Sequence, residues 1–475
     1  MPSQTKKITF DTAALFSGKL IGLLLGMVRL NYLTTYLGVA NFGILNFALY
    51  FCSLFQVLFD LGMSQLLIRD LARDLSRSRE FVGKIALLKT MIVFFAGIIV
   101  GAISFASRFE SQTNWAILLT TVVFSVNGLS VVFLSAFQAH RKMTIVSVSN
   151  IFNDLILSVL IILIVKGSPH VVTVLLLGIF VSSVNLLVLY VLYRREVGAP
   201  EFSLDKDLWK SSMKEAVPMA VSSFGISTYT FIGSTVLGYC RGDVEVGIYS
   251  AGYKIISILT LIPLTFSQVV YPIFSDFSAN AVQKLKKALQ DSSRVMTQIS
   301  IPLATGTVIL APKIISFLYP AAFEDAASVL RIIICGEAFV YLAWIIYAFL
   351  MALNHQKLCM RISLAVAFVS LAANLLLVPT FGYRGVAFIL FSTDLILFAS
   401  YSYFAAREGY SVIQGRHFLK IIASSGVMGA VLFFIKEWYL VPTVLVGSCV
   451  YFAALFALRG FGDQEREFLA KILKR

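Results

Sequence analysis

The sequence predicts an all-α polytopic membrane protein of about fourteen transmembrane helices, arranged as two six-helix lobes related by a pseudo-twofold plus two C-terminal helices. Three observations carry that expectation. First, 58% of the 475 residues are hydrophobic and 13% charged, where a soluble chain is nearer half and a quarter. Second, the mean hydropathy of +0.86 comes from apolar runs of membrane length that recur from end to end. Third, Lys and Arg gather in alternate connections between those runs. A water-soluble enzyme is excluded. Fourteen spans of about 20 residues would use roughly 280 residues, so no sizeable extramembrane catalytic domain fits.

The first run, 8–37, follows Lys6 and Lys7. It is longer than a signal peptide's apolar core and lacks a small-residue cleavage site, so it reads as a span. Runs at 43–66, 85–106, 115–137, 145–165 and 171–193 complete the first lobe. The longest polar connection, 194–218, follows. Within it Leu204, Leu208, Trp209 and Met213 stand near helical spacing with charges between, which predicts an amphipathic interfacial helix. The second lobe takes the runs 215–239, 247–275, 295–318, 329–353, 359–378 and 385–405, and the runs 418–435 and 439–458 are additional. The expected domains are therefore 1–195, a cytoplasmic linker 196–214, 215–405, and 406–475 with its tail.

Alternate connections hold 28 of the 39 Lys and Arg on one side and 7 on the other, with four inside spans. The positive-inside rule then places both termini in the cytoplasm of a plasma or inner membrane protein. The net charge of +14 lies between apolar runs rather than in one patch, so it points to membrane orientation and not to nucleic acid. The cysteines Cys52, Cys240, Cys335, Cys359 and Cys449 are scattered, with no metal-binding spacing, and read as core residues.

A weak internal repeat runs through the chain. Gly38, Gly43 and Ile44 match Gly242, Gly247 and Ile248 at one offset; His140, Lys142 and Gly167 match His355, Lys357 and Gly382 at another. Six helices per half in the same orientation imply a twofold along the membrane normal.

Six stretches in fixed order carry a family likeness: GMVRLNYLTTYLGVANFGIL (26–45), FDLGMSQLLIRDLAR (59–73), DLWKSSMKEAVPMAVSS (207–223), VGIYSAGYKI (246–255), PLTFSQVVYPIFS (263–275) and NLLLVPTFGYRGVAF (374–388). On these, over nearly its whole length, the chain resembles the polysaccharide and lipid-linked oligosaccharide flippases of the multidrug/oligosaccharidyl-lipid/polysaccharide exporter superfamily. The wording of the motifs is closer to the O-antigen and exopolysaccharide branch, the helix count to the lipid II branch. The resemblance implies a non-enzymatic transporter that moves a polyprenyl-diphosphate-linked oligosaccharide outward by alternating access. Its partners would be that substrate, the bilayer and other polysaccharide-assembly membrane proteins.

Charges inside spans cost on the order of 2.5–3.5 kcal/mol each on insertion scales, so each needs a partner or water. Arg29 shares a helix face with Gly18, Gly22 and Gly26, and glycines at that spacing admit a neighbouring helix. It is either a structural cation paired with an acid such as Glu337 or Asp394, or a fork for phosphate; the second reading is favoured. The resemblance adds that Gly26 to Arg29 matches the family's GxxR, whose arginine lies in the cavity and is implicated with pyrophosphate. Lys254 and Lys19 are further substrate-contact candidates against the plainer readings of pairing or snorkelling. Lys89, a turn from a span end, is expected to snorkel. Asp60 is expected to pair with Arg69 or Arg73. Asp154, Glu337 and Asp394 lie deeper, where they either couple transport to H⁺ or Na⁺ or neutralise buried cations. No cofactor or metal site is expected, and no GxxxxGK[ST], HExxH or GxSxG occurs. Three rivals stay open: a multidrug exporter of the same superfamily, which predicts a carboxylate-dominated cavity; a glycan polymerase, which predicts a large outer loop; and a non-transporting scaffold.

Overall fold

The computed structural model describes residues 2–412 and 415–460, and within them no side chain of residues 2–21, 23 and 24 nor those of 218, 219, 221–223, 226, 279 and 280. Every regular element among these residues is helical. In chain order they are α1 (Pro2–Leu54), α2 (Gln56–Asp60), α3 (Met63–Arg73), α4 (Ser78–Ala106), α5 (Ser111–Ala139), α6 (Met143–Ile164), α7 (Val171–Glu196), α8 (Lys206–Arg241), α9 (Asp243–Leu259), α10 (Leu261–Asn280), α11 (Val282–Leu318), α12 (Ala326–Ala352), α13 (Gln356–Arg407), α14 (Gly415–Phe434) and α15 (Leu440–Ala457).

Eleven segments among the described residues are long and apolar enough to cross a membrane. Two helices hold more than one crossing. At 1.5 Å per residue, the 53 residues of α1 and the 52 of α13 would each run about 80 Å, well over twice the hydrocarbon thickness. Each is broken by a glycine in a conformation that L side chains rarely adopt, Gly38 at φ 70° and Gly382 at φ 56°. Counting both halves, and the 36-residue α8, yields fourteen crossings. This is a multi-pass membrane protein.

The chain forms two compact units, residues 1–247 and 248–475. The first holds α1 to α8. An apolar cluster around Met63, Leu66, Ile85, Phe137, Leu189 and Tyr193 sits at the end bearing the cation-rich connections. The expected interfacial helix is not a separate element. It forms the first turns of a continuous α8, with Leu208, Trp209 and Met213 packed on that cluster. The extended stretch before α8 lies on Gly83, where a Cβ would stand 2.2 Å from the Glu201 carbonyl oxygen. Polar ties fasten it: Lys84 to Asp205 at 2.9 Å, Arg69 to Glu215 at 2.6 Å, and the Trp209 indole N–H to the Lys84 carbonyl at 3.0 Å.

The 43–66 run is also interrupted, because Leu61 and Gly62 both take positive φ between α2 and α3. That break corrects two expectations. Lys89 does not snorkel; its side chain is 1% exposed. It donates to the Asp60 carboxylate and, at 3.3 Å, to the Asp60 carbonyl freed at the end of α2. A cation at a helix C-terminus is the favourable sign for the dipole. Asp60 is thus held by Lys89 and Ser64, not by Arg69 or Arg73.

The repeat is visible locally. Gly38 (φ 70°, ψ 177°) and Gly242 (φ 85°, ψ −178°) share one backbone conformation. Gly43 faces the Asp243 carbonyl and Gly247 faces the Val39 carbonyl, a reciprocal pair of close backbone approaches that only glycine permits. The second match is out of register. Helices α6 and α13 start at Met143 and Gln356 after positive-φ Arg141 and Asn354, two residues away from the alignment of His140 with His355.

The second unit packs α11, α12 and α13 around Ile333, Tyr341, Ile345 and Phe349. Helices α14 and α15 lie on α11 through Met428, Leu432, Tyr451 and Leu455.

Candidate functional site

In the first unit the site centres on Arg29. Its Nη1 lies 3.5 Å from Asp154 Oδ1 on α6, with side-chain exposures of 24% and 37%. The partner is therefore neither Glu337 nor Asp394. Gly22, two turns before Arg29, makes room for the acid: a Cβ there would stand 3.0 Å from Asp154 Oδ2. Above it the Tyr32 hydroxyl donates to the Ile162 carbonyl at 2.7 Å and fixes α1 against α6. Gly26 has open space where a Cβ would stand. The pair is loose: one guanidinium nitrogen reaches one carboxylate oxygen at a distance longer than the 2.7–2.9 Å of a good charge-assisted bond. A guanidinium fork with donors left over in a part-solvated membrane helix can take a phosphate. The side chain of Lys19 lies outside the described residues.

In the second unit the chemistry is acidic. Glu337 on α12 and Asp394 on α13 are 4% and 3% exposed. Glu337 Oε1 and Asp394 Oδ1 have no hydrogen-bond partner among the described residues. Gly336 lets α13 come close to α12: its missing Cβ would stand 3.0 Å from Asp394 Oδ2 and from the Phe391 Cα, so Asp394 lies against the residue preceding Glu337. One turn on, the Tyr341 hydroxyl donates to the Leu259 carbonyl at 2.9 Å and locks α12 to α9. Two buried carboxyls with no basic partner among the described residues are a costly arrangement, since desolvating a carboxylate in low dielectric is expensive unless a cation or hydrogen bonds compensate it. Lys254 is half-buried on α9. The sequence singled out both acids; it offered no sign that Asp394 packs against α12 beside Glu337, because 57 residues of chain separate them.

A third feature escaped the sequence. An apolar groove of about 880 Å³ opens in the second unit among α9, α11, α14 and α15, lined by Ile255, Ile299, Leu310, Met428, Leu432 and Phe452. Uniformly apolar helices give no periodicity by which such a groove could be located.

Comparison with known proteins places the chain. The family model described as Polysaccharide biosynthesis protein matches residues 8–278, and the MatE model matches residues 218–376. Among curated proteins, the chain is 26% identical over 223 residues to a "Probable low-salt glycan biosynthesis flippase" of Haloferax volcanii, covering 46% of each chain. A second H. volcanii protein, "Probable flippase AglR", is 24% identical over 52% of this chain and 54% of its own. The chain thus spans about half the length of these curated relatives. The "Putative O-antigen transporter" of Escherichia coli K12 is 25% identical over 79% of this chain and 91% of its own. Among solved structures, the lipid II flippase MurJ in an inward closed conformation superposes with a TM-score of 0.77 at 14% identity, covering 95% of this chain and 99% of that one. An inward-facing multidrug resistance MATE family transporter gives 0.64 at 15%, covering 82% and 94%. These likenesses establish the fold, and the family match covers more than half of the sequence: the chain belongs to the polysaccharide biosynthesis protein family.

Proposed function

We propose that this protein is a flippase that carries a polyprenyl-diphosphate-linked oligosaccharide from the cytoplasmic to the outer face of the cell membrane for surface glycan assembly. The observation that carries the reading is Arg29, a permanently charged fork deep in α1 with a single loose ionic contact among the described residues, in a chain of a polysaccharide biosynthesis family. Arg29 takes the diphosphate, with Lys254 and Lys19 as further cationic contacts to phosphate or sugar. Within the second unit, the groove beside α14 and α15 has the chemistry that suits a prenyl chain, since its lining is apolar apart from a few polar side chains such as Gln298, Thr307 and Ser448. Lobes of residues 1–195 and 215–405 rock about the site in the manner of repeat-built transporters, with 196–214 as the cytoplasmic linker and 406–475 as an appendix. The 28-to-7 division of cations supports cytoplasmic termini. Glu337 and Asp394 supply the ion-coupling site, loading a proton or Na⁺ from outside and releasing it to the cytoplasm as the substrate moves outward.

The second reading is export of organic cations. The MatE match and the buried acid pair favour it, because carboxylates attract cationic cargo. The test is the sidedness of lipid-linked glycan in cells lacking the protein, complemented by wild type or by Arg29→Ala. Cytoplasmic accumulation relieved only by wild type supports the flippase with Arg29 at its phosphate site. Relief by both keeps the flippase and makes Arg29 structural. Normal sidedness in the deletion strain, with redundancy excluded, leaves the cation exporter.

A further inference from the structure

We infer that Asp154 is the resident anion of the Arg29 site: it occupies the guanidinium when no substrate is bound, gives way to the substrate's diphosphate, and returns to help expel it. The inference rests on the diphosphate reading of Arg29 and adds a release device to it.

Four observations support this. The contact is single-pronged at 3.5 Å, whereas a structural Arg–carboxylate pair in a membrane would normally close to a forked contact below 3 Å. Asp154 is 37% exposed and Arg29 is 24% exposed, so neither is locked in a packed core, unlike Lys89 at 1%. Room for the acid is built into the facing helix, because Gly22 leaves the space that Asp154 Oδ2 occupies. Finally, the backbone beside the pair is held independently: Tyr32 ties α1 to the Ile162 carbonyl, and the Ser158 hydroxyl bonds the Asp154 carbonyl at 2.7 Å, within α6. The Asp154 side chain can therefore swing without α1 and α6 parting.

The chemistry sets the order of preference. A diphosphate offers more charge than one carboxylate and oxygens that match both prongs of the fork, so it displaces Asp154. A cationic site with no such competitor would hold the product tightly, and transport needs release as much as capture. Asp154 lowers affinity and raises turnover through Arg29; it is a positioning residue that never touches substrate. Ligand binding measures the competition directly. A part-exposed pair of this geometry is worth about a fivefold change in affinity.

The experiment titrates farnesyl diphosphate onto the purified full chain in nanodiscs and measures flipping in proteoliposomes. Asp154→Asn is expected to bind about fivefold more tightly than wild type and to flip more slowly, a combination that damage to the fold would not produce. Asp154→Glu is expected to restore both. Gly22→Ala, which keeps both charges and pushes the carboxylate aside, is expected to tighten binding in the same direction and carries the test if the Asn variant does not fold. Arg29→Ala is expected to lose binding, and adding Asp154→Asn to it should regain none. If Arg29→Ala abolishes binding while Asp154→Asn and Gly22→Ala bind no more tightly than wild type, Asp154 is not a competitor and this inference is overturned with the diphosphate site intact. If Arg29→Ala binds as wild type does, the diphosphate reading itself fails, and this inference with it.

Discussion

The ion pair between Lys89 and Asp60 allows an asymmetric test of how this protein tolerates charge in its first unit. The two partners are equally charged but unequally buried: the Lys89 side chain is 1% exposed and the Asp60 side chain 34%. Replacing Asp60 with Asn strands an ammonium inside the apolar cluster with only the Asp60 carbonyl and an amide for company. Breaking a buried pair in this way costs about 3–5 kcal/mol. Replacing Lys89 with Met strands a carboxylate that still sees solvent and still accepts from the Ser64 hydroxyl. Its loss should be nearer 1 kcal/mol, the scale of a partly solvated pair. The double variant Asp60→Asn/Lys89→Met removes both charges and should recover most of the deficit, because apolar packing replaces the pair at similar volume. Thermal unfolding of the four proteins in one detergent gives the ranking: wild type and Lys89→Met highest, the double variant close behind, Asp60→Asn lowest. Equal losses for the two single variants, or a double variant as weak as Asp60→Asn, would refute the reasoning from burial.

Two glycines of α1 should split by their surroundings. Gly43→Ala places a methyl 1.8 Å from the Asp243 carbonyl and is expected to lose at least about 1–3 kcal/mol of stability. Gly26→Ala meets open space and should be neutral or gain up to about 1 kcal/mol from helix propensity; unfolding in detergent separates the two. At the start of α8 the Asp205 carboxyl is held below the ordinary carboxylate value, first by the Leu208 backbone N–H and then by Lys84. A depressed value means that its stabilisation is present above the ordinary carboxylate range and disappears as pH falls through the folded value. Asp205→Asn should therefore be less stable than wild type at neutral pH, and the gap should close in acid; a gap that widens in acid would exclude this coupling.

Much of the fold was legible because a bilayer demands long apolar helices and a net cation bias, both visible in composition alone. The fourteen crossings were readable as runs, including the two that share a single long helix on either side of Gly382. What stayed hidden was set by packing and by local backbone. No periodicity announces that α2 ends at a positive-φ Leu61, yet that break creates the carbonyl and carboxylate that hold Lys89. Sequence distance misled in the same way. Asp154 lies 125 residues from Arg29, and nothing in either helix marks them as partners. Candidates could be selected by type and depth, but their pairing was not readable from spacing.

The charges inside the spans now fall into three physical classes, and the classes argue for different work. Lys89 with Asp60 is tight and hidden at a helix break, the arrangement expected of a group retained for structure. Arg29 with Asp154 is loose and part-solvated, so little free energy is lost when a stronger anion replaces the acid. Glu337 with Asp394 has no cationic partner among the described residues and is almost wholly buried. Packing does not require two carboxyls there: apolar residues of like volume would fill the α12–α13 contact at lower cost. A pair kept against that cost makes sense where a mobile cation enters and leaves. The flippase proposed above would give such a cation a task, because moving a charged diphosphate outward in repeated cycles needs an energy source, and an ion moving down its gradient through this pair would supply one.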